Sequence, residues 1–229
     1  MVISSETRLV ALLGHPVAHS LSPRMQNAAF AARAFDWAYV ALDVPPERLA
    51  EAVRGLAAAG FAGANVTAPH KLAAAQLCDE ADAESVNTLV FDNGRVLGTS
   101  TDAAVLEGLT FDRPAIVGDG GAARAFKAAL PNAPVFSRRG EWPPEVDGTD
   151  LVVHATSARD EVLFVLREGQ TLIDLPYPES ATAEAARIAG ATVIDGLEVL
   201  VRQGAESFER WTRVSAPLDV MRNAVRSAP

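Results

Sequence analysis

Short apolar runs alternate with stretches of helical spacing along most of this chain, an alternation that predicts βα units on mainly parallel sheet. In the first hundred residues, the runs at 9–13, 39–44 and 61–66 read as strands. Each leads into a helical stretch. The first, 23–34, is opened by Ser22 with proline at its first position; the second, 46–59, is ended by Gly60; the third is alanine-rich and begins at Lys71. Runs at 86–91 and 95–97 flank Asp92-Asn93-Gly94, a hairpin-turn signal. A helix over 103–109 is expected next.

Residues 110–114 read as the step into a second unit, whose first strand is 115–117. A glycine-rich turn follows at Gly118-Asp119-Gly120-Gly121-Ala122-Ala123, then a helix to Leu130. Further strands are expected at 134–136, 151–154, 171–175 and 192–194. From Leu197 onward Leu200, Val201, Ala205, Phe208 and Trp211 keep a helical spacing, and a last helix is expected over 217–226. The expected fold class is α/β in two domains. Residues 1–102, completed by C-terminal helices in 205–229, form one; residues 103–204 form a Rossmann-like nucleotide-binding domain, with a cleft between.

Composition narrows the partners. A chain of 229 residues, 49% hydrophobic and 21% charged, suits a globular protein with a real core. Its net charge of −9 predicts a surface that repels nucleic acid and anionic membrane, so an anionic ligand needs a local basic site. One cysteine, Cys78, leaves no intrachain disulfide and no cysteine cluster for a metal, and reads as a small core residue. The four histidines, His15, His19, His70 and His154, are not spaced as ligands, so no metal is expected. The N-terminal residues show no basic-then-apolar leader, and no apolar run reaches membrane-spanning length; a cytoplasmic location is expected.

Chemistry concentrates at strand-to-helix junctions. The chain has two lysines against eighteen arginines, so a lysine at such a junction suggests a need for a releasable proton, which arginine does not supply. Lys71 closes Asn65-Val66-Thr67-Ala68-Pro69-His70-Lys71, and Asp102 closes Gly98-Thr99-Ser100-Thr101-Asp102 at a second junction. Together they fit a proton-transfer pair. Taken singly, Lys71 also fits a solvated helix residue and Asp102 an N-cap.

The turn Gly118-x-Gly120-x-x-Ala123 between a strand and a helix fits a dinucleotide fingerprint, with backbone N–H groups and the helix dipole meeting a pyrophosphate. About twenty residues on stand Ser137-Arg138-Arg139, where an NAD-binding fold carries an acid. A serine and two arginines suit the 2′-phosphate of NADP, or else form a solvated basic turn.

These motifs, in this order, resemble the shikimate dehydrogenase family over nearly the whole chain. Gly14-His15-Pro16-Val17-Ala18-His19-Ser20-Leu21-Ser22-Pro23 resembles its opening substrate motif. The stretch ending at Lys71 resembles its catalytic-lysine motif, Val86-Asn87-Thr88 its asparagine motif, and Ser100-Thr101-Asp102 its catalytic-aspartate motif. Residues 195–203, with Phe208 and Trp211 after them, resemble its closing motif. The resemblance implies reversible reduction of 3-dehydroshikimate to shikimate with NADPH. It implies Lys71 and Asp102 as catalytic, Ser20 and Ser22 on the substrate carboxylate, Asn65, Thr67, Asn87 and Gln203 about the ring hydroxyls, and Tyr177 at the rim. For the cofactor it implies Gly118, Gly120, Gly121, Ala122, Ala123, Ser137, Arg138, Arg139, Thr156 and Val199, the last in place of a methionine near the nicotinamide.

The chain departs from the family pattern in places. Gln26 stands where histidine is usual, His15 and His154 where asparagine is common, and Ser100 where asparagine precedes the Thr-Asp pair. The stretches after Arg139 and at Ser157-Ala158-Arg159-Asp160 are shortened, which predicts an open or remodelled adenosine pocket. The alternatives are a quinate/shikimate dehydrogenase using NAD and a non-catalytic binding paralogue. Monomer and homodimer both remain open, and the expected partner is the small-molecule substrate.

Overall fold

The computed structural model describes residues 3–227, so residues 1–2 and 228–229, the outermost of the expected first domain, lie outside the described residues. The chain divides into two compact units, Met1–Thr101 with Val201–Pro229, and Asp102–Leu200.

In the first unit, β1 (Arg8–Gly14), β2 (Trp37–Asp43), β3 (Gly63–Val66), β4 (Glu80–Ala81), β5 (Thr88–Asp92) and β6 (Arg95–Thr99) form one sheet of order β2-β1-β3-β5-β6-β4. The βα runs give parallel pairs of β1 with β2 and β3, while β5 returns antiparallel to β3. Asn93 and Gly94 both take positive φ, 50° and 79°, the twist that lets a two-residue loop close β5 onto β6. Helices α1 (Ser22–Ala32), α2 (Leu49–Ala58) and the short α3 (Lys71–Ala75) connect the strands. One core is built from Ala11, Leu13, Ala64 and Val66 of the sheet with Val53 and Leu56 of α2, and half-buried Cys78 packs at its edge. Burial pushes the Cys78 thiol up to about 11, with Asp79 and Asp82 adding to the shift.

The second unit is a five-stranded, wholly parallel sheet. Its strands β7 (Pro114–Val117), β8 (Val135–Phe136), β9 (Leu151–His154), β10 (Thr171–Asp174) and β11 (Thr192–Ile194) run in the order β11-β10-β9-β7-β8. Parallel strands need long crossovers, usually helical. Helices α4 (Gly121–Ala129) and α5 (Ala181–Ile188) supply two of them. The other two, residues 137–150 and 155–170, contain no helix or strand. Val146, Phe164 and Leu166 from these loops are buried against Val152 and Leu172 and fill the layer that a helix would occupy. The opposite face buries Ile116, Val153 and Ile173 under Phe126 of α4.

The chain re-enters the first unit within α6 (Gly196–Thr212) and ends in α7 (Leu218–Arg226), which packs on α1. Phe208 of α6 stacks on Phe30 at 5.4 Å, and the Trp211 indole donates to the Leu89 carbonyl at 2.9 Å.

Three elements differ from the sequence expectation, and one of them is the short strand β4 (Glu80–Ala81), which pairs with β6 and has no expected counterpart. The helix expected over 103–109 is a 3-10 turn, Asp102–Leu106, and Gly108 at φ 76° turns the chain out before an α-helix can extend. Helix α5 has no counterpart in the expectation. It starts where the Ser180 hydroxyl accepts the Ala183 N–H, an N-cap without the glutamate three residues later that usually advertises one.

Candidate functional site

In the first unit a buried polar network forms where β3, β5 and α6 meet. Asn65 on β3 is almost fully buried, and its amide nitrogen lies 3.0 Å from the Asn87 carbonyl, 3.1 Å from Thr88 Oγ1 and 3.0 Å from Ser207 Oγ. Its carbonyl oxygen accepts the Tyr39 hydroxyl at 2.8 Å. Asn87 donates to Thr101 Oγ1 at 3.0 Å and to Gln203 Oε1 at 3.2 Å, and accepts the Thr101 N–H at 2.8 Å. Ser207, one helical turn after Gln203, bonds to Thr88 at 2.8 Å and donates back to the Gln203 carbonyl at 2.9 Å. Buried amides and hydroxyls tied together this fully hold fixed orientations, as recognition of a polyhydroxylated ring requires.

Three expected substrate residues, Asn65, Asn87 and Gln203, therefore share one network. Four others in it, Tyr39, Thr88, Thr101 and Ser207, were not singled out from the sequence. Thr88 and Thr101 stand within the quoted motifs, and the four-residue spacing from Gln203 puts Ser207 on the same helix face, so those signals were available. Tyr39 was legible only as an apolar strand position.

Ser20 precedes α1 and Ser22 opens it, with the Ser22 N–H donating to Ser20 Oγ at 3.2 Å, and Ser22 is buried. Thr67 follows β3, its N–H donating to the Leu13 carbonyl at 2.9 Å and its methyl lying against Gly14, where a Cβ would meet it at 2.5 Å. Lys71, half-buried, opens α3, and its carbonyl accepts the Val86 N–H at 3.2 Å, which ties the lysine segment to the asparagine segment. Asp102, buried, is the first residue of the second unit and follows Thr101, which Asn87 holds.

The glycine turn of the second unit links β7 to α4. Gly118 has φ 132°, and a Cβ there would strike the Ala155 carbonyl at 2.5 Å, so only glycine fits. Gly120 caps α4 without a side-chain bond, Gly121 and Ala122 are half-buried and Ala123 is buried, so small residues line the first turn of the helix. That is the cradle a pyrophosphate needs. At the end of β8 the Ser137 carbonyl accepts the Gly140 N–H at 2.9 Å, closing a tight turn. Both arginines are engaged by acids: Arg138 pairs with Glu161 and lies 5.5 Å from the Trp142 ring centre, and Arg139 Nε is 3.1 Å from Asp119 Oδ2. Thr156 follows β9 with its hydroxyl 2.7 Å from His154 Nε2. Tyr177 is half-buried in the loop after β10, and Val199 is buried with Ile173 and Ile194.

Among the described residues no group of acids, histidines or cysteine is placed to hold a metal, and no described helix is long and apolar enough to cross a membrane. His70 is buried with Nε2 2.7 Å from the Val44 carbonyl, and His15 pairs with Asp43 at 2.6 Å.

A parallel sheet with a glycine turn at the C-terminal end of its first strand defines a Rossmann-like dinucleotide-binding class. Comparison with known proteins narrows it. The family model for the shikimate dehydrogenase substrate binding domain matches residues 12–89, and that for the shikimate 5′-dehydrogenase C-terminal domain matches 196–226. Shikimate dehydrogenase (NADP(+)) of Methanopyrus kandleri is 39% identical over 279 positions, covering 97% of this chain and 96% of its own. That alignment is at least fifty positions longer than this chain's 229 residues, so the relative carries segments absent here. A crystal structure of shikimate dehydrogenase in complex with NADP+ superposes with TM-score 0.88 at 31% identity, over 98% of this chain and 96% of that one. The Thermus thermophilus shikimate 5-dehydrogenase in complex with NADP(H) and shikimate gives TM-score 0.84 at 29% identity, over 96% and 98%. The chain belongs to the shikimate dehydrogenase family.

Proposed function

We propose that this protein is an NADP-dependent shikimate dehydrogenase, an oxidoreductase that interconverts 3-dehydroshikimate and shikimate in the cytoplasm as a step toward aromatic amino acids. The observation that carries the reading is the Asn65–Asn87–Gln203 network, a preorganised set of neutral donors and acceptors suited to ring hydroxyls. Ser20 and Ser22 bind the carboxylate, Thr67 the ring, and Tyr177 closes the rim. The glycine turn with Ala122 and Ala123, Ser137, Arg138, Arg139, Thr156 and Val199 binds NADP, and the Gly118 backbone that excludes a Cβ fits close approach of a pyrophosphate. NADPH supplies the hydride for reduction.

Hydride addition at a ketone carbon leaves negative charge growing on its oxygen. Lys71 stabilises that charge with its ammonium and gives the oxygen its proton; Asp102 orients Lys71 and takes part in returning the proton. Arginine at 71 keeps the charge but not a releasable proton. Purified protein with shikimate and NADP+, followed by nicotinamide absorbance, tests the reading. Turnover is expected with NADP+, and its absence overturns the proposal. Lys71→Ala and Asp102→Asn are expected to lower kcat by about 10²-fold or more, and Lys71→Arg to fail likewise. Rates within a few-fold of wild type would remove both residues from the chemistry.

A further inference from the structure

A buried histidine–carboxylate pair in the second unit takes no part in the chemistry above. His154 ends β9 and Asp174 ends β10, opposite each other in the parallel ladder, and both are wholly buried. Asp174 Oδ1 is 2.6 Å from His154 Nδ1 and accepts the Ser180 hydroxyl at 2.8 Å, while Oδ2 accepts the Ser180 N–H at 3.1 Å. Both Asp174 oxygens thus act as acceptors toward Ser180, which assigns the hydrogen shared with the ring to Nδ1. The Phe164 ring stands edge-on to the imidazole at 6.1 Å and limits its rotation. The ring is thus held, with its far nitrogen aimed at one group. Nε2 lies 2.7 Å from Thr156 Oγ1, and that oxygen also accepts the Ala158 N–H at 3.1 Å.

Thr156 is beside the glycine turn. The Ala155 N–H donates to the Val117 carbonyl at 2.8 Å, and the Ala155 carbonyl is the atom a Cβ on Gly118 would strike. In parallel α/β sheets, ligands bind at this C-terminal end of the strands. A threonine hydroxyl turns about its C–O bond unless its partners are fixed, and here both are.

We infer that His154 is a positioning residue for the nucleotide. Clamped by Asp174 through Nδ1, it sets through Nε2 the direction of the Thr156 hydroxyl that meets the cofactor. The inference rests on the proposed reading that this turn holds NADP. Its chemistry belongs to the part of the cofactor that NADP and NAD share, since Arg138 and Arg139 are the groups assigned to the 2′-phosphate.

Titration calorimetry with NADP+ and with NAD+ tests it. Thr156→Val and His154→Asn, which keeps a donor for Asp174 on a shorter side chain, are each expected to weaken both nucleotides by roughly 3- to 10-fold, the scale of one neutral hydrogen bond. Thr156→Ser is expected to bind as wild type. The two losses share one interaction, so the double variant is expected to be no weaker than the weaker single variant. Losses that add, or a His154→Asn loss confined to one nucleotide, overturn the inference.

Should His154→Asn fail to fold, ¹⁵N imidazole spectra of the wild type decide. The His154 ring, identified as the one whose signals move in Thr156→Val, is expected to carry its proton on Nδ1 and to shift on NADP+ addition. A bare Nδ1, or a signal that NADP+ leaves in place, overturns it. The activity is judged separately. These binding losses without shikimate oxidation would overturn the proposed reaction and leave the positioning role standing, whereas a wild type that binds neither nucleotide overturns both.

Discussion

At the scale of single residues, the two arginines assigned to the 2′-phosphate are occupied by acids. Glu161 pairs with Arg138, and Asp119, inside the glycine turn itself, pairs with Arg139. A phosphate binding there competes with the carboxylates already paired to the guanidinium groups. Exposed pairs of this kind contribute about 0–1 kcal/mol, so freeing Arg138 has a bounded effect. Glu161→Gln is expected to lower KM for NADPH by up to about fivefold with KM for NADH unchanged. Arg138→Ala with Arg139→Ala should raise KM for NADPH much more than for NADH, and added salt should weaken NADPH binding preferentially. Equal effects on the two nucleotides would show that the arginines support the fold instead of reading the phosphate.

At the scale of elements, Asp150 ties the entry of β9 to the entry of β7. Its carboxylate accepts the N–H groups of Asp112 at 2.7 Å and Arg113 at 2.9 Å, just before Pro114 begins β7. Burial alone would raise the Asp150 pKa, but the N–H groups of Asp112, Arg113 and Asp150 itself favour the ionised form and bring it below the usual carboxylate value. A group whose folded pKa is lowered contributes stability above its unfolded pKa, about 3.9, and loses it as pH falls through the folded value. Thermal unfolding of wild type and Asp150→Asn across pH checks this. The wild type is expected to be the more stable near neutrality, with the gap closing below about pH 3.9. A gap independent of pH would mean that the charge contributes nothing.

At the scale of the whole molecule, the second unit keeps a five-stranded parallel sheet with only two helical crossovers. The buried layer that Val146, Phe164 and Leu166 supply from irregular loops makes those loops part of the core. Phe164→Ala is expected to cost about 3–5 kcal/mol, as large-to-small changes in a core do. By hydrogen exchange, the loss should appear first in residues 102–200, with the first unit's sheet still protected. A melting temperature within about 2 °C of wild type would show that the loops merely cover the sheet, because a loss of that size shifts a chain this long by several degrees.

Much of this architecture was already legible in the order of residues. Strand runs such as 115–117 and 151–154 were readable because buried parallel strands are short and apolar, and Asn93-Gly94 announced its hairpin by needing positive φ. The glycine turn was readable for the same local reason, and the ordered motifs carried the family. Local pattern did not separate the 3-10 turn at Asp102–Leu106 from a helix, because a single turn of apolar spacing fits both. It also missed α5, whose cap lacks the glutamate signal and whose stability comes from burying Ala183 and Ala186 on the sheet. Only the tertiary structure brought Tyr39, Asn65, Asn87, Thr101 and Ser207 within hydrogen-bonding distance. It alone showed Arg138 and Arg139 facing acids and His154 clamped by Asp174. A hydrogen-bond partner a hundred residues away leaves no mark on spacing or periodicity, since what selects it is the closeness that packing imposes after the chain has folded.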